Sequence, residues 1–151
     1  MPTRDPVEIL LIEDSEYDAE LTFKAVKAKL PSVHYLHLRD GQQALDYLLG
    51  KEKTTAQQAP PLLILLDLDL PKVKGLSILE AIKTHDDTRR IPVVVWTISK
   101  DRTAMEQAYT LGANSYVIKP ISFVKYSLAV ADIVTYWLTV NDLPDFPKID
   151  P

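Results

Sequence analysis

The chain has 151 residues, 46% hydrophobic and 25% charged, the make-up of one soluble globular domain and not of two. Its 17 basic and 21 acidic residues leave a net charge of −4, which argues against non-specific nucleic-acid binding. Absence of cysteine excludes disulfides, a thiol nucleophile and any Cys-ligated zinc or iron–sulfur site.

The N-terminus, MPTRDPVEILLIEDSE, lacks the shape of a signal peptide, and no apolar run approaches the ~20 residues that span a bilayer. No membrane is expected, and the cytoplasm is the expected compartment. The first apolar run, Val7–Ile12, is read as a strand and Ser15–Lys29 as a helix, with Ser15 and Asp18 forming its start signal. Val33–Leu38 is a second strand, interrupted by His34 and His37 as suits an edge, and Gly41–Leu49 is helical. Lys51–Pro61 is polar, ends in two prolines and reads as a surface loop. Strands at Leu62–Leu66, Val93–Thr97 and Ser115–Ile118 alternate with helices at Leu76–Thr84, Arg102–Leu111 (stopped by Gly112) and Phe123–Leu138. Beyond Asn141 the prolines predict an irregular tail, so residues 1–140 form the domain and 141–151 the tail.

The segments VEILLI, LLILL and VVVWT are almost continuously apolar, as strands covered on both faces should be. Fivefold β–α alternation predicts an α/β fold with a doubly wound parallel sheet. Ligands of such sheets sit at the carboxyl ends of the strands.

Acids fall at those ends. Glu13–Asp14 follow the first strand, and Asp67, with Asp69 two residues on, follows the third. Two unit charges ~5 Å apart repel by ~3 kcal/mol at an effective dielectric of ~20, so the cluster calls for a cation. All-oxygen ligands select a hard metal, most plausibly Mg²⁺. Capping of the next helix by Asp14 or Ser15 is the plainer reading of the first pair. Thr97 adds a hydroxyl at the end of the fourth strand, and Lys119 adds a cation at the end of the fifth. Carboxylates, hydroxyl and ammonium together suit phosphoryl chemistry.

At this point the sequence resembles the receiver domain of two-component response regulators, over about residues 7–138. The matching pieces are ILLIEDS, LLILLDLDLPKVKG, IPVVVWTIS and NSYVIKP, in order. The resemblance implies a flavodoxin-like (βα)5 fold with strand order 2-1-3-4-5. It makes Asp67 the phosphoacceptor for a histidine kinase or phosphotransfer protein. Glu13, Asp14 and Asp67 would hold Mg²⁺ with the backbone carbonyl of Asp69; Thr97 and Lys119 would engage the phosphoryl oxygens. Tyr116 matches the aromatic that swings inward when Thr97 moves, and the Lys119–Pro120 bond would be cis. Such a chain is a phosphoacceptor that assists its own chemistry, not an enzyme with turnover. The long loop before the third strand, RRIPVVVWTIS and the ending TYWLTVNDLP resemble the stand-alone response regulators partnered with bacterial and cyanobacterial phytochromes. A phytochrome histidine kinase is the implied partner.

Three positions depart from the family pattern. Ile98 replaces a small residue after Thr97 and is expected to narrow the approach to Asp67. Asp69 adds negative charge, and Lys74 replaces a frequent acid before Gly75, with its consequence on the turn. His34, His37 and His85 are not expected to bind metal, and Trp96 is expected in the core. The last helix is apolar around nearly its whole circumference. Val124, Leu128 and Ala131 are expected to face the sheet. Phe123, Tyr126, Val130, Ile133 and Trp137 would then form a homodimer interface, extended by Leu143–Phe146. Folding of Leu143 and Phe146 over Trp137 in a monomer is the competing expectation.

Other functions fit less well. An aspartate-nucleophile phosphohydrolase of the haloacid dehalogenase kind would share Asp-x-Asp after a strand, but its pair lies near the N-terminus, followed by later acids. A receiver-like interaction module without phosphorylation would not need all of these side chains. A transcription factor is disfavoured because too few residues follow Leu138 for a helix-turn-helix module.

Overall fold

The computed structural model describes residues 7–50, 60–144 and 149. Most of the Lys51–Pro61 loop, and Phe146 in the tail, lie outside those residues. Five strands, β1 (Ile9–Ile12), β2 (Tyr35–Leu38), β3 (Leu63–Leu66), β4 (Val93–Thr97) and β5 (Ser115–Ile118), form one parallel sheet in the order β2-β1-β3-β4-β5. Between and after them run α1 (Glu16–Lys29), α2 (Gly41–Leu49), α3 (Gly75–Thr84), α4 (Arg102–Thr110) and α5 (Phe123–Thr135). This is the expected doubly wound, flavodoxin-like (βα)5 fold. The first three strands begin two residues, two residues and one residue later than their apolar runs, at Ile9, Tyr35 and Leu63.

Side chains of a strand alternate between faces, and here they feed two cores. Ile9, Leu11, Leu63, Leu65, Val94 and Trp96 pack with α1 and α5. Leu10, Ile12, Ile64, Leu66, Val93 and Val95 pack with α2, α3 and α4. Burial of each such side chain contributes about 1.5–3 kcal/mol. The central strands β1, β3 and β4 are wholly buried, whereas β5 is half-buried and β2 half-buried to exposed, as edges should be.

Local signals act where expected. The Ser15 side chain accepts from the Asp18 amide and caps α1, and Gly112 ends α4 with a φ of +106°. At Gly75 a Cβ would lie 2.5 Å from Leu68 Cα and 2.7 Å from the Asp67 carbonyl, so the turn after β3 closes only on glycine.

Two expectations are corrected. Every described peptide bond is trans, including Lys119–Pro120; the two isomers of an X–Pro bond differ by only ~0.5–1 kcal/mol, so the dipeptide alone decides little. The stripes of α5 are also reversed. Tyr126, Val130 and Ile133 lie in the core with Val134, whereas Val124 and Leu128 are more than half exposed. Trp137 is partly buried against the same core, and of the five predicted interface residues only Phe123 faces out. Tyr126 has a polar partner set inside, described below, while Asp132, four residues from Leu128, belongs to the exposed stripe. The helix does not stop at Leu138: a π-helical turn, Tyr136–Val140, continues it, closed by Asn141 N donating to Tyr136 O. Phe123–Val140 thus has the length and composition of a membrane span, but it lays Val130, Val134 and Leu138 against the sheet. Ile149 returns to this end, its amide donating to Leu138 O.

Candidate functional site

The parallel register brings the predicted residues to one edge. Ile12 pairs with Leu66, so the residues that follow, Glu13 and Asp67, emerge side by side. The Asp67 amide donates to Ile12 O at 3.0 Å, and the Lys119 amide donates to Thr97 O at 2.7 Å. Backbone pairing, not loop flexibility, therefore sets where these side chains start.

Glu13, Asp67, Thr97 and Lys119 are all buried. Carboxylate oxygens of Glu13, Asp14 and Asp67 lie within 4.8 Å of one another, with Asp14 exposed at the mouth. Asp69 is exposed, and its amide donates to Asp67 Oδ1 at 3.1 Å. Its side chain is outside the three-carboxylate group. The Lys119 ammonium donates to Glu13 Oε2 at 2.6 Å, Asp18 Oδ2 at 2.9 Å and Asp67 Oδ2 at 3.4 Å.

Burial and the neighbouring Asp67 charge push the Glu13 carboxyl up to about 8, against the pull of Lys119. Burial works against the Lys119 charge, but Glu13 and Asp67 outweigh it and hold the ammonium above the ordinary lysine value. One ammonium among four carboxylates leaves the pocket net negative. An all-oxygen, partly buried and net anionic donor set is what a hard divalent cation requires, so the residues present fit Mg²⁺.

Thr97 Oγ1 accepts from the Ser99 amide at 3.3 Å. Tyr116 is half-buried; its hydroxyl donates to Ser99 O at 2.9 Å, and its amide donates to the Tyr109 hydroxyl at 3.1 Å. Burial raises its phenol above the usual value. Hydroxyl and aromatic thus meet the same loop between β4 and α4. Ile98 is exposed beside them and lines a groove of about 140 Å³ with Tyr17, Asp18, Lys119, Ile121 and Phe123. A larger cavity, about 340 Å³, lies at the other edge among Pro60–Leu62, Arg89–Pro92 and Leu143–Pro144, and holds none of the predicted site residues.

Three participants escaped the sequence reading. Asp18 reaches Lys119 from the first turn of α1, and its spacing of four from Asp14 is a helical-turn signal that could have drawn attention. The His37 side chain meets the Glu13 backbone carbonyl through Nε2 at 2.6 Å, a contact across neighbouring strands that no linear motif reveals. The Tyr126 hydroxyl donates to Asp18 O at 3.1 Å while meeting Thr22 Oγ1 at 2.8 Å and Trp96 Nε1 at 3.3 Å.

Known proteins resemble this arrangement throughout its length. Residues 9–131 match the response regulator receiver domain. The chain is 40% identical over 144 residues to the probable methanogenesis regulatory protein FilR2 of Methanothrix harundinacea (strain 6Ac), covering 95% of this chain and 92% of that one. It is 36% identical over 140 residues to the response regulator Rcp1 of Synechocystis sp. (strain ATCC 27184 / PCC 6803 / Kazusa), covering 92% and 94%. A solved Mn²⁺-bound form of Rcp1 superposes with a TM-score of 0.84, over 92% of this chain and 99% of that one. The phosphorylated cyanobacterial phytochrome response regulator RcpA superposes with a TM-score of 0.85 at 33% identity, over 93% of this chain and 100% of that one. Receiver domains bind Mg²⁺ or Mn²⁺ at an acidic pocket, and they act as signal transducers. With its fold, its acidic strand ends and its matched length in agreement, the chain belongs to the response regulator receiver family and is similar to the response regulator Rcp1 and to the cyanobacterial phytochrome response regulator RcpA.

Proposed function

We propose that this protein is a single-domain response regulator that accepts a phosphoryl group onto Asp67 from a histidine kinase of the phytochrome type, in a Mg²⁺-dependent reaction. The observation that carries this reading is the setting of Asp67: a buried carboxylate gathered with those of Glu13 and Asp14 and met by the Lys119 ammonium. An Asp67 oxygen attacks phosphorus, and the O–P bond forms as the P–N bond of the donor phosphohistidine breaks. Glu13, Asp14 and Asp67 would hold the metal together with the backbone carbonyl of Asp69. When bound, Mg²⁺ supplies positive charge against the phosphoryl oxygens. Lys119 supplies a second cation, and Thr97 donates its hydroxyl to the same group. Because Tyr116 and Thr97 share the loop at Ser99, movement of Thr97 changes the surface formed by α4, β5 and α5.

We assign residues 1–140 to the receiver and 141–151 to a tail, and infer that the receiver signals by a change of partners in the cytoplasm. RcpA supports the phytochrome assignment, as do the shared fold and the shared length. The test is phosphotransfer from purified kinases. A phytochrome-type kinase should label the chain once, with Mg²⁺ required and Asp67→Asn unlabelled. Preferential labelling by another kinase class overturns the partner, and repeated turnover of a phosphate ester favours a hydrolase.

The outer face of α5 favours self-association as a second feature. Val124, Leu128, Tyr136 and Val140 follow one another at four-residue spacing with Asp132 between, and all four are about half exposed or more. We infer a homodimer across this stripe. Sedimentation of Leu128→Glu should show monomer where the parent shows dimer.

A further inference from the structure

Lys119 is held by one carboxylate more than a phosphoacceptor site needs. Its ammonium has three N–H donors, and they meet Glu13 at 2.6 Å, Asp18 at 2.9 Å and Asp67 at 3.4 Å. The ammonium therefore sits nearer to α1 than to the acceptor. Asp18 is not free to drift. Its backbone carbonyl receives the Tyr126 hydroxyl from α5, and that hydroxyl is in turn met by Trp96 Nε1 from β4 and by Thr22 on α1. With the Tyr126 proton spent on Asp18, Trp96 and Thr22 are the donors, so every polar atom of this buried junction is satisfied. Such a junction fixes the first turn of α1 against β4 and α5, and the Asp18 carboxylate with it.

We propose that Asp18 is a positioning residue that draws the Lys119 ammonium back from Asp67, so that a phosphoryl group arriving at Asp67 must take Lys119 away from it. This inference rests on the phosphoacceptor reading of Asp67. Two effects of opposite sign follow. Without the Asp18 charge, Lys119 has one competitor fewer and moves readily to a phosphoryl-like anion. The same change removes a negative charge from the pocket and brings the ammonium closer to Asp67, which opposes a divalent cation.

The test uses the full chain with Asp18→Asn and Asp18→Glu. Beryllofluoride, formed from beryllium chloride and sodium fluoride, is titrated at saturating Mg²⁺ by fluorine NMR. Mg²⁺ alone is titrated by calorimetry. Asp18→Asn should bind beryllofluoride on the order of tenfold more tightly, given the usual strength of a charge-assisted hydrogen bond, and Mg²⁺ about threefold more weakly. Asp18→Glu, which keeps the charge and can still reach Lys119, should return both affinities toward the parent. In a Lys119→Met background Asp18→Asn should no longer tighten beryllofluoride. Parallel loss of both affinities, no change in either, or a full effect without Lys119 overturns the inference. Failure of the parent chain to bind beryllofluoride with Mg²⁺ overturns the phosphoacceptor reading itself.

Discussion

The two sides of the sheet are built from different materials. On the side of α2, α3 and α4 the fully buried core is aliphatic, with Leu48, Ile78, Leu79 and Ile82 laid against Leu10, Ile12, Ile64, Leu66, Val93 and Val95 and with Tyr47 and Tyr116 at its partly buried margin. On the side of α1 and α5 the core carries Phe23, Trp96 and Tyr126, the last two edge-on with ring centroids 4.9 Å apart, and threads hydrogen bonds between them. This second side is joined to Lys119 through the first turn of α1. An aliphatic core can repack without a directional penalty, whereas a hydrogen-bonded one has a single satisfied arrangement. One side supplies stability, and the other transmits position.

The largest effect should come from breaking the aliphatic side. Leu79 is fully buried on α3, and Leu79→Ala should cost about 2–5 kcal/mol in transfer and cavity terms. Urea denaturation measures this. Beryllofluoride affinity of the folded fraction should stay at the parent value, because no hydrogen bond links α3 to Lys119 among the described residues. A large shift in affinity would mean that both sides transmit.

Tyr126→Phe tests the other side. It keeps the ring but strips one partner each from Asp18 O, Trp96 Nε1 and Thr22 Oγ1. The expected cost is about 1–3 kcal/mol, smaller than that of Leu79→Ala. Unlike Leu79→Ala, it should also tighten beryllofluoride, since Asp18 loses its anchor. A stability loss with unchanged affinity would reduce the junction to simple packing.

How much of this contrast was legible in the sequence depends on what each feature needs. The alternating strands and helices, the acidic strand ends and the caps at Ser15 and Gly112 come from local patterns, whereas strand order came with the family resemblance; all are where they were expected. Both faces of α5 are largely apolar, and only Asp132, four residues from Leu128, with Lys125 beside it, marks the outer one. The inner one is fixed by the Tyr126 hydroxyl, whose partners Thr22 and Trp96 are 104 and 30 residues away in the chain. The Asp18–Lys119 pair spans 101 residues, and the four-residue step from Asp14 marks only one end of it. Long-range polar pairs are what a one-dimensional reading misses.

The polar side also gives the site a pH response. Burial and Asp67 lift Glu13 from 4.5 to about 8, so below pH 8 a proton competes with the metal for that carboxylate. Mg²⁺ affinity should rise with pH and level off above about 8, being on the order of tenfold weaker at pH 7 than at pH 9. The sign for metal-free stability is the reverse: a folded-state value above the unfolded one favours folding at low pH, and that contribution is lost as pH rises from 4.5 through about 8. Calorimetry with Mg²⁺ and thermal melts with chelator read the two limbs. Glu13→Gln should flatten both.

The smallest effect returns to the aliphatic side, where one helix start is left uncapped. Lys74 occupies the N-cap of α3 with extended backbone, φ −66° and ψ 143°, and its side chain makes no capping hydrogen bond. Its positive charge also faces the positive end of the helix dipole. Lys74→Asp replaces it with a side-chain acceptor for the first-turn amides and reverses the charge. The expected gain is about 1 kcal/mol, a shift in melting midpoint of roughly 2–8 °C for a domain of this size. If stability and transmission are divided between the two sides, this gain should appear with no change in beryllofluoride or Mg²⁺ affinity. Coupled movement of the affinities would show instead that the loop from Asp67 to Gly75 carries helix stability into the site, through the contact of Gly75 with the Asp67 carbonyl.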